Sequence, residues 1–202
     1  MGRREEKREA TRYDILAAAG ILFIKKGYDA TSVDDIAEAA NVAKGTLYYH
    51  FKSKDEVLLG LSIGYLKRLS ETVDKKLDLK EPPLVVMVDA LKTLARDTES
   101  YRDLSRHFFL AMFGQMREEL DCPHDEDQAS LPNIITKIVR AAQENGDIEK
   151  SWDARELGAM IAGASHHAQV TWIVLEEKRP LVDKVEQWVK VILRGIAKES
   201  AC

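Results

Sequence analysis

Apolar residues recur every three or four positions along almost the whole chain, and no alternation of period two persists. That pattern predicts helices and no sheet. A first helix is predicted over Thr11–Lys26, with Ile15, Ala18, Ala19, Leu22 and Phe23 on one face. Lys25 and Lys26 close it, where the helix dipole favours cations, and Gly27 stops it in a left-handed turn. Thr31-Ser32 offers a cap for a short second helix, with Asp34 and Asp35 in its first turn and Ile36, Ala37 and Ala40 inward. Asn41 suits a left-handed turn. A third short helix, Lys44–Phe51, has Leu47 and Phe51 one turn apart. Ser53-Lys54-Asp55-Glu56 reads as a capping box opening a long fourth helix. Its stripe is Val57, Leu58, Leu61, Tyr65, Leu69, Val73 and Leu77.

Pro82-Pro83 ends that helix and starts the next. Helices follow over Pro83–Thr98, Ser100–Leu120, Leu131–Asn145, Asp153–Glu176 and Leu181–Lys198, with an acidic loop at Asp121–Gln128. The fold class is therefore all-α, with about nine helices. The expected division is 1–55, three helices with a helix-turn-helix spacing near 31–51, and 56–202, a longer all-helical body.

Composition narrows the class. The chain is 45% hydrophobic and 32% charged with 11 Gly and 5 Pro, a helix-rich soluble profile. Cys122 and Cys202 make no disulfide framework, so a cytoplasmic location is expected. No signal sequence follows the charged N-terminus. Glu6 stands where a myristoylation signal needs Ser or Thr. The run Leu157–Leu175 contains no Asp, Glu, Lys or Arg. It carries Ser165, His166, His167 and Gln169, however, and reads as a buried helix with no membrane role. The net charge of −4 does not announce a nucleic acid. Placement says more: Lys44, Lys52 and Lys54 lie in an acid-free stretch, and Arg3, Arg4, Lys7, Arg8 and Arg12 lead the chain.

Two short helices joined by a turn of about four residues describe a helix-turn-helix, whose second helix would lie in a DNA major groove. With Leu47 and Phe51 inward, Lys44, Gly45, Thr46, Tyr48, Tyr49 and His50 include the outward positions. Lys and Thr hydrogen-bond base edges, and Gly45 lets the backbone come close. Tyr, His and Lys54 suit phosphates. On spacing alone, a helical hairpin that merely packs fits equally well.

Residues 12–59 decide the matter by resemblance. Arg12, Ile15-Leu16, Ala18, Leu22-Phe23, Gly27-Tyr28, Thr31-Ser32-Val33, Asp35-Ile36-Ala37, Ala40, Val42, Lys44-Gly45-Thr46-Leu47-Tyr48-Tyr49-His50-Phe51 and Ser53-Lys54-Asp55-Glu56-Val57 resemble the DNA-binding domain of TetR-family regulators. The resemblance implies that Thr31 and Ser32 cap the second helix and touch phosphate. It implies that Lys44, Gly45, Thr46 and Tyr48 face bases or adjacent backbone, and that Tyr49, His50 and Lys54 clamp phosphates. Asn41 stands where the family often has Gly. Ala43 stands where it often has a Ser or Thr cap, a loss of roughly 1 kcal/mol that predicts a frayed start to the third helix.

The partners expected are double-stranded operator DNA, a small-molecule effector and a second copy of the chain, with no cofactor and no membrane. For the homodimer, Val185, Trp188, Val189, Ile192, Leu193 and Ile196 form one stripe, and Gly158, Ala159, Ala162 and Gly163 permit close helix approach. For the effector, Tyr65, Met87, His107, Phe108, Met112, Phe113, Met116 and Trp172 supply adaptable walls suited to an apolar or aromatic molecule. His166 and His167 point about 100° apart on a helix and do not share a metal well. Asp103 and His107 have the spacing of an intrahelical ion pair. Cys122-Pro123-His124-Asp125 reads as a solvated loop. No metal site and no phosphate-loop, dinucleotide or nucleophile-elbow motif is present, and the reading is a regulator, not an enzyme.

Overall fold

The computed structural model describes residues 2–119 and 129–196, with side chains over 2–112 and 129–195. Nine helices occur among them: α1 (Arg3–Lys26), α2 (Val33–Ala39), α3 (Lys44–His50), α4 (Lys54–Asp78), α5 (Pro83–Ser100), α6 (Arg102–Glu119), α7 (Leu131–Asn145), α8 (Ala154–Val174) and α9 (Leu181–Ile196). The predicted all-α architecture stands. Leu120 to Gln128, which include the acidic loop and Cys122-Pro123-His124-Asp125, lie outside the described residues, as do the side chains of Phe113, Met116 and Ile196.

Helix termini follow local chemistry. Gly27 stops α1 with φ 85° and Gly146 stops α7 with φ 86°, both in the region that glycine alone enters freely. Asn41 makes the turn between α2 and α3 with φ 53°. Helix α1 begins eight residues before the expected Thr11. Arg3 to Ala10 are all exposed and almost wholly charged, so no apolar period marks them. Helix α3 begins at Lys44 with no side-chain cap from Ala43, whose carbonyl accepts the first helical bonds from Thr46 N at 2.8 Å and Leu47 N at 3.1 Å.

The chain forms two compact units that cut it differently from the expected 1–55 and 56–202. Met1–Gly64 joins Tyr101–Cys122, and Tyr65–Ser100 joins Pro123–Cys202. In the first unit, Ile15, Phe23, Ile36, Leu47, Phe51 and Val57 form a core, with Leu104 and Phe108 of α6 packed against it. Burying side chains of this size contributes about 1.5–3 kcal/mol each. A Cβ at Gly60 would sit 3.0 Å from Leu16 and 3.1 Å from Phe51, so only glycine lets α4 press this closely on the first unit's core.

In the second unit, α5, α7, α8 and α9 bury Met87, Leu91, Ile134, Ile138, Ile161 and Leu181 among others. Helix α8 covers most of the run Leu157–Leu175 but is buried along one side only, with Met160 and Val174 exposed, and no helix among the described residues is long and apolar enough to cross a membrane. Thr98 and Gln169 meet inside at 2.8 Å, and Gln169 Nε2 donates to the Ser165 carbonyl at 3.2 Å. The Glu99 carboxylate accepts from the Leu181 and Val182 amides and caps α9.

Candidate nucleic-acid interface

The reading head is built around two inward anchors. Leu47 has no exposed surface, and Phe51 is buried beneath the Arg12 guanidinium, 4.5 Å above its ring. One turn of helix between them fixes the rotation of α3. Tyr48 and Tyr49 are therefore outward, 40% and 68% exposed, beside exposed Lys44 and Gly45 and half-buried Thr46 and His50. Tyr49 and His50 meet edge to face at 5.2 Å. Burial, and then the charges of Arg8 and Arg12, push the His50 imidazole below its ordinary value, with Glu9 opposing them.

Ser32 sits at the N-cap of α2. Its Oγ accepts from Asp35 N at 3.0 Å, while Asp35 Oδ2 accepts from Ser32 N at 2.8 Å. The Ser32 backbone N–H, then the Ser32 hydroxyl and the Lys26 ammonium, hold the Asp35 carboxyl at about 2. Lys44, at the start of α3, pairs with Asp34 of α2 at 2.7 Å, both side chains well exposed. Ser53 caps α4 as expected, its Oγ accepting from Glu56 N at 3.1 Å. Glu56 Oε2, however, accepts from Lys52 N, one residue further back than a capping box requires.

Two expected phosphate contacts are engaged elsewhere. Thr31 is 1% exposed, and its hydroxyl donates to the Gly27 carbonyl at 2.8 Å. It shapes the turn and presents no hydroxyl outward. Lys54 Nζ donates to the Tyr28 and Thr31 carbonyls at 2.8 and 3.0 Å and lies 4.0 Å from the centre of the Tyr28 ring. It latches α4 to the turn before α2. Nothing in the spacing of Lys54 reveals a carbonyl partner 26 residues away, whereas the Thr31 hydroxyl turns back onto a carbonyl only four residues before it.

The expected effector residues are divided between the units. Phe108 and Met112 belong to the first, and Phe108 lies on the core of the reading head. His107 stacks on Tyr28 at 4.3 Å, and its Nε2 lies 3.4 Å from the carboxylate of Asp29, not of the expected Asp103. In the second unit, Tyr65 donates to Asp97 Oδ2 at 2.7 Å, and Trp172 Nε1 donates to the Arg179 carbonyl at 2.8 Å. Met87 is fully buried in the core.

The expected dimer stripe also needs correction. Ala162, Val185 and Val189 are buried inside their own unit and have no surface left for a partner. Gly158 serves α7: a Cβ there would lie 2.9 Å from the Thr136 backbone nitrogen. Ala159 and Gly163 are exposed, and Trp188, Ile192 and Leu193 are half-buried. Met160 and Val191, each 63% exposed, were not anticipated, because they lie one position off the strict apolar stripes.

Residues 15–61 match the family described as bacterial regulatory proteins, tetR family. Similarity runs well beyond that segment. The fatty acid metabolism regulator protein of Bacillus subtilis is 28% identical over 94% of this chain and 98% of its own length. The HTH-type transcriptional regulator TtgR of Pseudomonas putida is 29% identical over 93% of this chain and 91% of its own. The N-terminal segment is thus of the TetR type, and the whole chain is similar to regulators that carry it. Its fold agrees with that of a TetR-family transcriptional repressor, Thermus thermophilus FadR in complex with lauroyl-CoA. That match has a TM-score of 0.72 at 24% identity, covering 94% of this chain and 97% of that one. These similarities make this chain a DNA-binding transcriptional regulator of the TetR type. Its relatives are named as regulators, not enzymes.

Proposed function

We propose that this TetR-type regulator represses transcription in the cytoplasm as a homodimer, with 1–55 as the reading head and 56–202 as the body that dimerises and takes the effector. The supporting observation is the rotation of α3: Leu47 is shut in the core while Lys44, Gly45, Thr46 and Tyr48 stand outward to meet base edges. Ser32, Tyr49 and His50 take the flanking phosphates. A dimer places two such helices about 34–36 Å apart, on successive major grooves of one duplex face. Exposed apolar residues on α8 and α9 support it: Ala159, Met160, Gly163, Val174 and Val191 are too many apolar groups on two neighbouring helices for solvent alone.

The effector is apolar in part. The full-length similarity to a fatty acid metabolism regulator directs the first trial to a long-chain acyl-CoA. Binding releases DNA only if the effector prefers the state that does not fit the operator. A hundredfold preference corresponds to about 2.7 kcal/mol. A gel-shift with the DNA upstream of the protein's own gene, with and without lauroyl-CoA, tests both parts. A specific shift that lauroyl-CoA abolishes is expected. A shift indifferent to acyl-CoAs removes the effector, and no shift at all removes the repressor.

A further inference from the structure

The first two turns of α1, Arg3-Arg4-Glu5-Glu6-Lys7-Arg8-Glu9, are exposed throughout, yet they extend the helix well past its apolar part. Isolated charged segments have little reason to be placed by packing. Within this one, Arg4, Lys7 and Arg8 recur at the spacing of a single helix face. That face looks toward α3. Arg4, Lys7, Arg8 and Thr11 from α1, together with Thr46, Tyr49 and His50 from α3, line one open groove, and Glu5 also lines it. Three fixed cations there outweigh one carboxylate. Arg8 and Arg12 both act on the His50 imidazole, so the positive field reaches the α3 wall.

We propose that this groove grips the sugar-phosphate backbone of the same duplex whose major groove α3 enters, with Arg4, Lys7 and Arg8 on its phosphates. The proposal rests on the reading of α3 as a recognition helix. Two features favour DNA as the occupant. The groove shares Thr46, Tyr49 and His50 with the outward face of α3, so a duplex seated on α3 continues into it. The charged extension of α1, Arg3 to Ala10, spans about 12 Å, comparable to the width of the major groove it would border. These contacts carry no base information. They add affinity and salt dependence to whatever sequence α3 selects.

The test uses the full chain and a duplex that the wild-type protein selects from a random-sequence pool, with an unselected duplex beside it. Affinities of wild type, Arg4→Gln/Lys7→Gln/Arg8→Gln and the off-groove control Arg3→Gln are measured across a salt series. The triple variant is expected to lose tenfold or more on both duplexes. Its slope of log affinity against log salt should be shallower by about 0.9 for each phosphate that is no longer gripped. The ratio of selected to unselected affinity should stay within about twofold, since phosphates are blind to sequence. Lys7→Gln alone, too mild to unfold α1, should flatten the slope by about one phosphate per protomer. An unchanged slope overturns the proposal, whether or not affinity falls. So does a variant whose oligomeric mass differs from wild type, which would make the groove a contact between copies. If Lys44→Ala leaves selection intact, the recognition-helix reading fails by itself. If the groove variants are neutral while Lys44→Ala abolishes selection, only the groove proposal fails.

Discussion

His107 lies on the face of Tyr28, ring centroids 4.3 Å apart, and thereby ties α6 to the turn between α1 and α2. Tyr28 is engaged on several sides. Phe23 is tilted against it at 5.1 Å, Lys54 sits over its ring, and its hydroxyl donates to the Asp55 carboxylate. The stack joins residues far apart in sequence and fixes the turn that aims α2. His107→Ala should loosen the reading head by about 1 kcal/mol, the scale of an aromatic pair. Amide hydrogen exchange in α2 should then quicken roughly fivefold. His107→Phe keeps the stacking without the Asp29 contact, and should restore most of the protection. Equal exchange in all three proteins would remove the stack from any structural role.

The Ser32–Asp35 box predicts an acid response. The folded Asp35 carboxyl is depressed to about 2, held there first by the Ser32 amide. An ordinary aspartate titrates near 3.9 when unfolded. Depression means that the folded state binds fewer protons, so the contribution is present above about pH 4 and is lost as the pH falls toward 2. Ser32→Ala removes the cap oxygen and should cost about 1 kcal/mol near neutrality. It should also weaken the loss of α2 helicity between about pH 4 and 2, followed by circular dichroism, because part of what acid destroys is already gone. An acid transition identical to wild type would sever the box from the pH response.

Much of this was legible in the sequence, for stated reasons. Leu47 and Phe51 set the rotation of α3 because a one-turn apolar pair has a single inward solution in a short helix. Gly27 and Asn41 marked the turns because few residues tolerate positive φ. The start of α1 was not legible, because an all-charged helix leaves no apolar period. The role of Lys54 was not legible either, because it finds backbone carbonyls that only the folded chain brings near, and the Thr31 hydroxyl chose a local carbonyl where a cap or a phosphate was expected. The dimer stripe misled for a similar reason. Both α8 and α9 are apolar on more than one side, and periodicity does not say which side the protomer uses for itself.

That last ambiguity yields a paired prediction. Met160→Asp and Val191→Asp change residues that are 63% exposed, so the protomer should keep its helicity while the dimer dissociates in sedimentation equilibrium. Val189→Ala changes a buried residue and should act oppositely. It should lower protomer stability by roughly 1–3 kcal/mol with the association constant little altered. If the aspartate variants remain dimers of wild-type affinity, the docking face lies elsewhere.

Gly158 gives a sharper test of packing. A methyl group there would meet the Thr136 backbone nitrogen at 2.9 Å and Thr136 Cα at 3.0 Å. Backbone cannot swing aside as a side-chain end can, so α7 and α8 would have to part. Gly158→Ala should destabilise the protein by about 1–3 kcal/mol despite the better helix propensity of alanine. Gly163→Ala, with open space around it, should stabilise the free protomer slightly and disturb the dimer instead. Denaturant midpoints measured at two protein concentrations separate the effects: only the Gly163 variant's shift should depend on concentration.

The pair Lys44–Asp34, 2.7 Å apart on the outward face, sets the last prediction. Both side chains are well exposed, so the pair adds little to folding. Its consequence is for DNA. A carboxylate beside the recognition helix repels phosphate, and it occupies the ammonium that α3 would offer to a base edge. The right base must take Lys44 away from Asp34, while a wrong one leaves the pair closed. Asp34→Asn frees Lys44 on every sequence. Affinity for an unselected duplex should rise several-fold, and affinity for the selected duplex should rise less, so the discrimination ratio falls. Lys44→Ala should lower affinity for the selected duplex tenfold or more with the oligomeric state unchanged. Should Asp34→Asn weaken binding to both duplexes, the carboxylate would be a brace for α3 and not a guard on its lysine.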